Sequence, residues 1–264
     1  MEIKGSVALV TGGGSGIGEA VAKFFAKRGA KVAIVDAVQA NIDRVVKDIE
    51  QTGGEVIGIL ANVTSEADTA KFIKATLNAF GKLNIAVSAA GIIRDATMLT
   101  LDKETGKVSR KMGLDKWQPV IDVNLTGTFL TLRDAAEAMV NGGWEGLLVP
   151  ISSVNKAGHI GQLNYSSTKV AVALMSKIII GEFLMRGIHH IRCVGIAPGY
   201  TATPMLTGMN QDALKAILAD VHIGRLVEPD EIAAMIGHCV ENGALNGTTI
   251  EITGGLCNSK GIAE

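Results

Sequence analysis

Tyr165 and Lys169 are the side chains best suited to chemistry, because they stand four positions apart in a segment with helical spacing. That separation places both side chains on one face of a helix. An ammonium beside a phenol favours the phenolate and lowers a pKa that starts at about 10. The pair is therefore suited to general acid–base work near neutrality, although an ordinary surface helix can show the same spacing.

A glycine-rich loop, TGGGSGIG, spans residues 11–18 and follows the apolar run VALV. Gly12, Gly16 and Gly18 allow a tight turn and a close approach of the backbone to a pyrophosphate, whose charge the amino end of the next helix would meet. Asp36 ends the second apolar run, 18 residues beyond Gly18. A carboxylate there accepts both hydroxyls of an adenosine ribose and repels a 2′-phosphate, which predicts NAD rather than NADP. The alternatives are that the glycine loop is an ordinary tight turn and that Asp36 only ends a strand.

Continuous apolar segments alternate with segments of helical spacing along the chain. Strands that are apolar throughout are buried on both faces, which is typical of a parallel sheet with helices on either side. The sequence predicts one α/β domain over 1–264, a Rossmann-type doubly wound sheet of seven parallel strands that binds ligands outside their carboxyl ends. The predicted strands are 7–10, 31–36, 56–63, 83–91, 146–152, 191–199 and 248–255, and the main predicted helices are 17–28, 39–51, 66–80, 115–140 and 163–186.

Charge and cysteine content argue against several function classes. With 25 Lys+Arg against 26 Asp+Glu the net charge is −1, and no block of like charge suits nucleic acid or an anionic membrane. Cys193, Cys239 and Cys257 lack the spacing of a disulfide framework or of zinc ligands, so we expect reduced thiols, no metal and a cytoplasmic protein. The apolar runs are too short for a secretory leader or a membrane span.

Five motifs occur in a fixed order: TGxxxGxG, VNLTG around Asn124, serines after the fifth predicted strand, YSSTK, and APG at 197–199. This order and the approximate spacing resemble the short-chain dehydrogenase/reductase family over nearly the whole chain. The resemblance implies that Tyr165 exchanges a proton with the substrate oxygen and that Lys169 holds the nicotinamide ribose. It also implies that Asn124 anchors a water joining Lys169 to solvent, that a serine hydrogen-bonds the substrate oxygen, and that no metal is needed.

Either Ser152 or Ser153 could be that serine. Counting back from Tyr165, Ser152 stands 13 positions away, the usual family distance, and Ser153 stands 12 away. Counting forward from Gly146, the strand GLLVPISS matches the family pattern with its second serine in the catalytic place. A missing residue is tolerated better in the loop 154–161 than in a strand, where it would reverse every side chain. We therefore assign Ser153.

The resemblance further implies a set of cofactor contacts, with two departures from the family pattern. Asn62 stands where the family more often has aspartate, and it can still accept from the adenine amino group. Ser88 begins SAAG where the family has NNAG, so we expect it to replace the asparagine hydrogen bonds only in part. The implied contacts are Gly12, Ser15, Gly16, Ile17, Gly18, Asp36, Asn62, Val63, Ala90, Gly91, Tyr165, Lys169, Pro198, Gly199, Thr201 and Thr203.

Two segments bear on the substrate. Segment 200–225 offers flexible apolar surface suited to an acyl or alicyclic group, unless it only packs on the core. Segment 94–117 holds an exposed turn between two extended pieces, which predicts a hairpin. Its basic residues could meet a CoA phosphate or simply be solvated. In segment 200–225 the expected apolar surface comes from Met205, Leu206, Met209, Leu214 and Ile217. In segment 94–117 the basic residues that could meet the phosphate are Arg94, Lys103, Lys107, Arg110 and Lys111.

The insertion at 94–117 and the NAD preference resemble the short-chain 3-hydroxyacyl-CoA dehydrogenases within the family. We therefore expect an NAD-dependent dehydrogenase of a small-molecule alcohol, with a 3-hydroxyacyl thioester as the leading substrate. A 3-oxoacyl-thioester reductase and a dehydrogenase of an alicyclic or other secondary alcohol are alternatives. A dinucleotide-binding protein without catalysis is the remaining one, although the chain retains Tyr165, Lys169 and Asn124.

The family resemblance also implies assembly, commonly as a homotetramer. Segment 163–186 is apolar on several faces, which fits burial against a partner. Its apolar residues are Val170, Val172, Leu174, Met175 and Ile178 to Ile180. His159 and His222 flank expected cleft regions, where a substrate contact and an ordinary surface position are both open. His189 and His190 precede a strand and are expected to be structural.

Overall fold

The computed structural model describes residues 1–207 and 211–257. In this part of the chain, seven strands form one parallel sheet in the order β3-β2-β1-β4-β7-β8-β9, and two form a separate antiparallel hairpin, β5-β6. In chain order the strands are β1 (Val7–Thr11), β2 (Lys31–Asp36), β3 (Val56–Leu60), β4 (Ile85–Ser88), β5 (Leu99–Leu101), β6 (Val108–Lys111), β7 (Gly146–Pro150), β8 (Ile191–Pro198) and β9 (Thr248–Ile252). The predicted doubly wound parallel sheet is confirmed.

Helices cover both faces of the seven-stranded sheet. One face packs against α1, α2 and α9, and the other packs against α3, α5 and α6. The helices are α1 (Gly16–Lys27), α2 (Gln39–Gln51), α3 (Glu66–Phe80), α4 (Leu114–Ile121), α5 (Gly127–Gly142), α6 (Leu163–Met185), α7 (Pro204–Thr207), α8 (Gln211–Leu218) and α9 (Pro229–Glu241). The described residues contain no helix that is both long enough and apolar enough to cross a membrane.

The central strands have no exposed face, which explains their continuous apolar sequence. In β1, Ala8 and Val10 belong to one core cluster, while Val7 and Leu9 belong to the cluster on the opposite face. All four side chains are fully buried. The period-2 alternation of a strand thus sends equally apolar residues to two cores instead of to a core and to water.

The predicted bounds of three elements were wrong in a way that matters for the site. The predicted helix 115–140 is interrupted, because a single π-helical turn, Asp122–Thr126, joins α4 to α5. The predicted strands 56–63 and 83–91 end early, at Leu60 and Ser88. The residues beyond them, 61–63 and 89–91, therefore lie in loops at the carboxyl edge of the sheet.

The predicted hairpin in segment 94–117 forms from β5 and β6. Asp102 closes its turn by accepting hydrogen bonds at 2.8 Å from both the backbone N and the Oγ1 of Thr105. Gly106 has a φ of 66°, in the region that favours glycine. The hairpin side chains are largely exposed, including the apolar Leu99, Leu101 and Val108.

Candidate active site

A cleft of about 840 Å³ opens at the carboxyl edge of the sheet. The loops that follow β1, β2, β3, β4, β7 and β8 contribute to its wall, as expected for a doubly wound sheet. All sixteen residues that the sequence implied as cofactor contacts line this cleft, and so does Ser153. Asn124 is completely buried behind the wall.

The glycine-rich loop has the geometry of a phosphate-binding turn. Gly12 and Gly16 have φ values of 66° and 54°, which other residues rarely adopt. A Cβ on Gly18 would overlap the carbonyl oxygen of Gly12, so the first turn of α1 can pack against the loop only with glycine there. Ser15 precedes α1 and makes no side-chain capping bond. The first N–H groups of α1 thus remain donors for an anion at the cleft.

Asp36 is fixed by the same loop. Its Oδ2 accepts from the backbone N of Gly14 and its Oδ1 accepts from the backbone N of Val38, both at 3.0 Å. Each carboxylate oxygen retains a lone pair that can accept a ribose hydroxyl. The nearby Arg44, which sequence reasoning missed, is bound bidentately by Glu19 and is not part of the cleft wall.

Asn62 lines the cleft in the loop after β3, but its side chain is already engaged. Its Oδ1 accepts hydrogen bonds from the backbone N and the Oγ1 of Thr64, at 3.0 and 2.9 Å. Two bonds fill the acceptor capacity of this oxygen, which we expected to accept from the adenine amino group. A polar contact from the Asn62 side chain to adenine would therefore come from Nδ2.

Tyr165 and Lys169 lie on one face of α6, with Lys169 Nζ 5.4 Å from the centre of the Tyr165 ring. Lys169 Nζ donates to the carbonyl oxygen of Ile151 at 2.9 Å. Burial lowers the pKa of Lys169 to about 8. Burial also raises the pKa of Tyr165, which a hydrogen bond with Ser153 lowers in part and the charge of Asp95 raises. Desolvation is the largest of these effects, so the Tyr165 pKa is raised and the expected net lowering is absent.

The two adjacent serines have different partners. Ser152 is buried, and its Oγ donates to the carbonyl oxygen of Lys169 at 2.6 Å. Ser153 is hydrogen-bonded with Tyr165, and its Oγ accepts from the backbone N of Asn155 at 3.1 Å. Successive side chains of an extended chain point to opposite sides, which separates the two hydroxyls. Ser152 thus ties the strand end to α6, and Ser153 faces the tyrosine.

Asn124 lies in the π-helical turn and binds the loop after β4. Its Oδ1 accepts from the backbone N of Ile92 at 2.8 Å, and its Nδ2 donates to the carbonyl oxygen of Ile92 at 3.0 Å. Thr128 Oγ1 donates to the Asn124 carbonyl oxygen and accepts from Ser88 Oγ. Ser88, which we expected to bridge neighbouring strands in part, instead supports this turn.

Comparison with known proteins decides the family. The family model for short chain dehydrogenases matches residues 6–214. The chain belongs to the short-chain dehydrogenase family. It is accordingly an oxidoreductase that acts on CH–OH groups, and members of this family bind a nicotinamide dinucleotide.

Two curated relatives and one solved structure illustrate the similarity. The chain is 34% identical over 268 residues to a rat (3R)-3-hydroxyacyl-CoA dehydrogenase, covering 97% of this chain and 98% of the relative. It is 34% identical over 255 residues to a 3-oxoacyl-[acyl-carrier-protein] reductase of Synechocystis, covering 95% and 96%. A 7α-hydroxysteroid dehydrogenase structure with NADH and 7-oxo glycochenodeoxycholic acid matches with a TM-score of 0.86 at 24% identity, covering 98% and 96%, and shows the shared fold.

This short-chain dehydrogenase has a polar network in its cleft that sequence reasoning missed. Asn155 Nδ2 donates to Gln162 Oε1 at 2.8 Å, and Gln162 Nε2 donates to Asp95 Oδ2 at 3.2 Å. All three residues line the cleft. Asn155 and Gln162 stand between Ser153 and Tyr165 in sequence. Their position between two predicted catalytic residues is the sequence feature that could have identified them.

Asn164 was also missed, although it directly precedes Tyr165. Its fully buried Nδ2 donates to the carbonyl oxygens of Arg94 and Lys116, at 2.9 and 2.7 Å. These two carbonyls lie at opposite ends of the segment that carries the hairpin. Asn164 therefore clamps the base of that segment beside the dehydrogenase site.

The remaining predicted contacts of this dehydrogenase divide between cleft and surface. Leu206, Ile217 and His159 line the cleft, whereas Leu214 and His222 are not in its wall. The Met205 side chain and all of Met209 lie outside the described residues. The sequence left open whether the five basic residues of segment 94–117 meet a CoA phosphate; none of them, all being described, contributes to the cleft wall. The described residues also contain no cluster of three or more His, Cys, Asp or Glu that could hold a metal ion.

Proposed function

We propose that this dehydrogenase oxidises a 3-hydroxyacyl thioester to the 3-oxoacyl thioester with NAD. The observation that supports it best is the arrangement of Ser153, Tyr165 and Lys169 on one wall of the cleft. The rat relative named a (3R)-3-hydroxyacyl-CoA dehydrogenase, similar over nearly the full length, supports the thioester. Leu206 and Ile217 on the cleft wall suit an acyl chain.

Within this proposal, each catalytic residue has a distinct task. When bound, the nicotinamide ring supplies the acceptor for the hydride. Tyr165 takes the alcohol proton, and Ser153 holds the substrate oxygen against the tyrosine hydroxyl. Lys169 exchanges its bond to Ile151 for the nicotinamide ribose, and its positive charge opposes the rise that burial imposes on the Tyr165 pKa. Asn124 fixes the π-helical turn behind the cleft and anchors the proposed water next to Lys169.

Selection of NAD over NADP follows from Asp36 in the proposal. The carboxylate, which Gly14 and Val38 orient, would accept the hydroxyls of the adenosine ribose and would repel a 2′-phosphate. Lys169 is the one lysine or arginine among the described residues of the cleft wall, and it belongs to the catalytic end. The residues of the glycine loop fit the diphosphate, because the donors of α1 remain available there.

The direct test is turnover of 3-hydroxybutyryl-CoA, as each enantiomer, with NAD or NADP as the oxidant. We expect NAD reduction by the wild type and loss of at least about 100-fold in kcat for Tyr165→Phe. Activity confined to free alcohols or steroids would exclude the thioester. Undiminished turnover by Tyr165→Phe would overturn the mechanism.

A 3-oxoacyl-thioester reductase is the second candidate, favoured by the Synechocystis relative of that name. The same residues serve both directions, because the proton and hydride paths are reversible. The equilibrium position is therefore set by the ratio of reduced to oxidised cofactor. Comparing kcat/KM for NADH and NADPH with acetoacetyl-CoA as substrate separates this candidate from an NAD-linked dehydrogenase.

We also propose a cytoplasmic homotetramer. Val170, Leu174 and Ile178 form an exposed apolar stripe on α6, and Phe129 on α5 is also half exposed. The other apolar residues predicted for this surface, Val172, Met175, Ile179 and Ile180, pack wholly or partly in the chain's own core. Free thiols at Cys193, Cys239 and Cys257 support a reducing compartment. A monomer by light scattering at micromolar concentration would exclude the tetramer.

A further inference from the structure

Asp95 brings a negative charge into the catalytic end of the cleft. The residue lines the cleft together with Ser153, Tyr165 and Gln162. Its Oδ2 accepts from Gln162 Nε2 at 3.2 Å, and Gln162 is itself held by Asn155. Asp95 is exposed, and the hydrogen bond from Gln162 orients its carboxylate at the cleft.

The charge of Asp95 has no partner of opposite sign in the described chain. No Lys, Arg or His of residues 1–207 and 211–257 forms an ion pair with it. Its neighbour Arg94 donates to the carbonyl oxygen of Ile93 instead. Gln162 contributes a neutral donor, which orients the carboxylate without cancelling its charge.

The field of this carboxylate reaches the reaction centre. Gln162 stands three positions before Tyr165, and the Asp95 charge raises the pKa of the Tyr165 hydroxyl. Coulomb interactions are stronger in a partly enclosed cleft than in bulk water. A substrate oxygen placed between Ser153 and Tyr165 would bring the substituents of its carbon into the same field.

Substrates of the proposed reaction differ in charge close to the reacting carbon. A 3-hydroxyacyl thioester is neutral there, because the phosphates of CoA lie at the far end of a long arm. A free 3-hydroxy acid carries a carboxylate two bonds from the same carbon. Like charges that close are repelled unless a cation intervenes. Lys169, the one lysine or arginine among the described residues of the cleft wall, is bound to the carbonyl oxygen of Ile151.

We propose that Asp95 is a specificity-determining residue that excludes substrates with a carboxylate beside the reacting carbon and admits neutral thioesters and esters. The inference rests on the proposed function for the identity of the neutral substrate. The exclusion itself is a property of the cleft, so it can be measured by binding alone. It acts by repelling the wrong ligand and not by improving contacts with the right one.

The test compares acetoacetate with its uncharged methyl ester, which differ in charge at one end. Each is titrated calorimetrically into the protein saturated with NAD, in which the ketones cannot be reduced. For Asp95→Asn we expect the Kd of acetoacetate to fall about tenfold, a change of about 1.4 kcal/mol, and the Kd of the ester to change less than about twofold. In an Asp95→Asn variant that retains turnover, kcat/KM for 3-hydroxybutyrate should rise relative to kcat/KM for its methyl ester by the same factor of about ten.

Asp43→Asn is the matched control. Asp43 is an exposed aspartate that also accepts from a glutamine, Gln39 Nε2 at 2.6 Å, but it does not line the cleft. Its replacement should leave the ratio of the two Kd values unchanged. Raising the ionic strength should narrow the ratio in the wild type, which tests the same charge without any substitution.

The inference is overturned if the ratio of the Kd of acetoacetate to the Kd of its methyl ester is the same in Asp95→Asn as in the wild type, whether or not both ligands bind more tightly. A salt-independent ratio in the wild type has the same consequence. Absence of turnover with every 3-hydroxyacyl thioester would instead overturn the proposed function. It would leave the binding ratio as an independent measure of the Asp95 charge.

Discussion

Replacing Lys169 by methionine should change how stability depends on pH. The side chain is almost completely buried, and burial lowers its pKa from 10.5 to about 8. Each unit corresponds to about 1.4 kcal/mol, so holding the ammonium in the folded protein costs about 3 kcal/mol below pH 8. Methionine keeps a similar length without the charge.

The sign follows from proton binding. Between pH 8 and 10.5 the unfolded chain keeps the Lys169 proton while the folded protein loses it, so the free energy of unfolding rises with pH. The cost is therefore fully present at pH 7 and vanishes above about pH 10.5. Relative to Lys169→Met, the wild type should gain about 3 kcal/mol across this window.

Urea unfolding without NAD, repeated at intervals from pH 7 to 11 with linear extrapolation, measures the difference between the two proteins. Lys177→Met, which replaces an exposed lysine of the same helix, controls for the change of residue type. A difference between wild type and Lys169→Met that stays constant over this range would refute the reasoning, because it would mean that Lys169 keeps its ordinary pKa in the folded protein.

Three further substitutions probe the site. Ser153→Ala should reduce kcat by at least about 100-fold with little loss of stability. Ser152→Ala should lower the free energy of unfolding in urea by about 1 to 2 kcal/mol and change kcat by no more than a few fold. Equal effects of the two substitutions on kcat would contradict the assignment of Ser153. Asp36→Ala should raise the Kd for NAD, measured by fluorescence titration, at least about tenfold, and it should reduce the preference for NAD over NADP. An unchanged preference for NAD would exclude the proposed contact of Asp36 with the adenosine ribose. Gly18→Ala should lower both the Tm and the affinity for NAD, because the added Cβ would overlap the carbonyl oxygen of Gly12. Unchanged values would show that the glycine loop can move to accommodate the Cβ.

The sheet was accessible from sequence because it depends on local pattern, whereas most of the residues along the cleft were implied by the resemblance to the short-chain dehydrogenase family. Strands buried on both faces read as continuous apolar runs, and a ligand site at their carboxyl ends follows from the topology. The choice of Ser153 came from strand register, which fixes the side to which a residue points. The hydrogen bond of Ser152 to Lys169 gives the physical basis for the distinction.

Long-range hydrogen bonds account for what the sequence did not predict. The π-helical turn has the apolar spacing of an ordinary helix, and its deviation accompanies the bonds of Asn124 to Ile92, 32 residues away. The bond of Gln162 to Asp95 spans 67 residues. The net rise of the Tyr165 pKa depends on burial, which a four-residue spacing does not report.

The clamp formed by Asn164 has a consequence for how the fold can vary. Since one amide joins the carbonyls of Arg94 and Lys116, the loop ends are held together whatever lies between them. The entropy of closing a loop grows only slowly with its length. We therefore expect the hairpin of β5 and β6 to tolerate shortening, extension or replacement by another sequence while Tyr165 keeps its position.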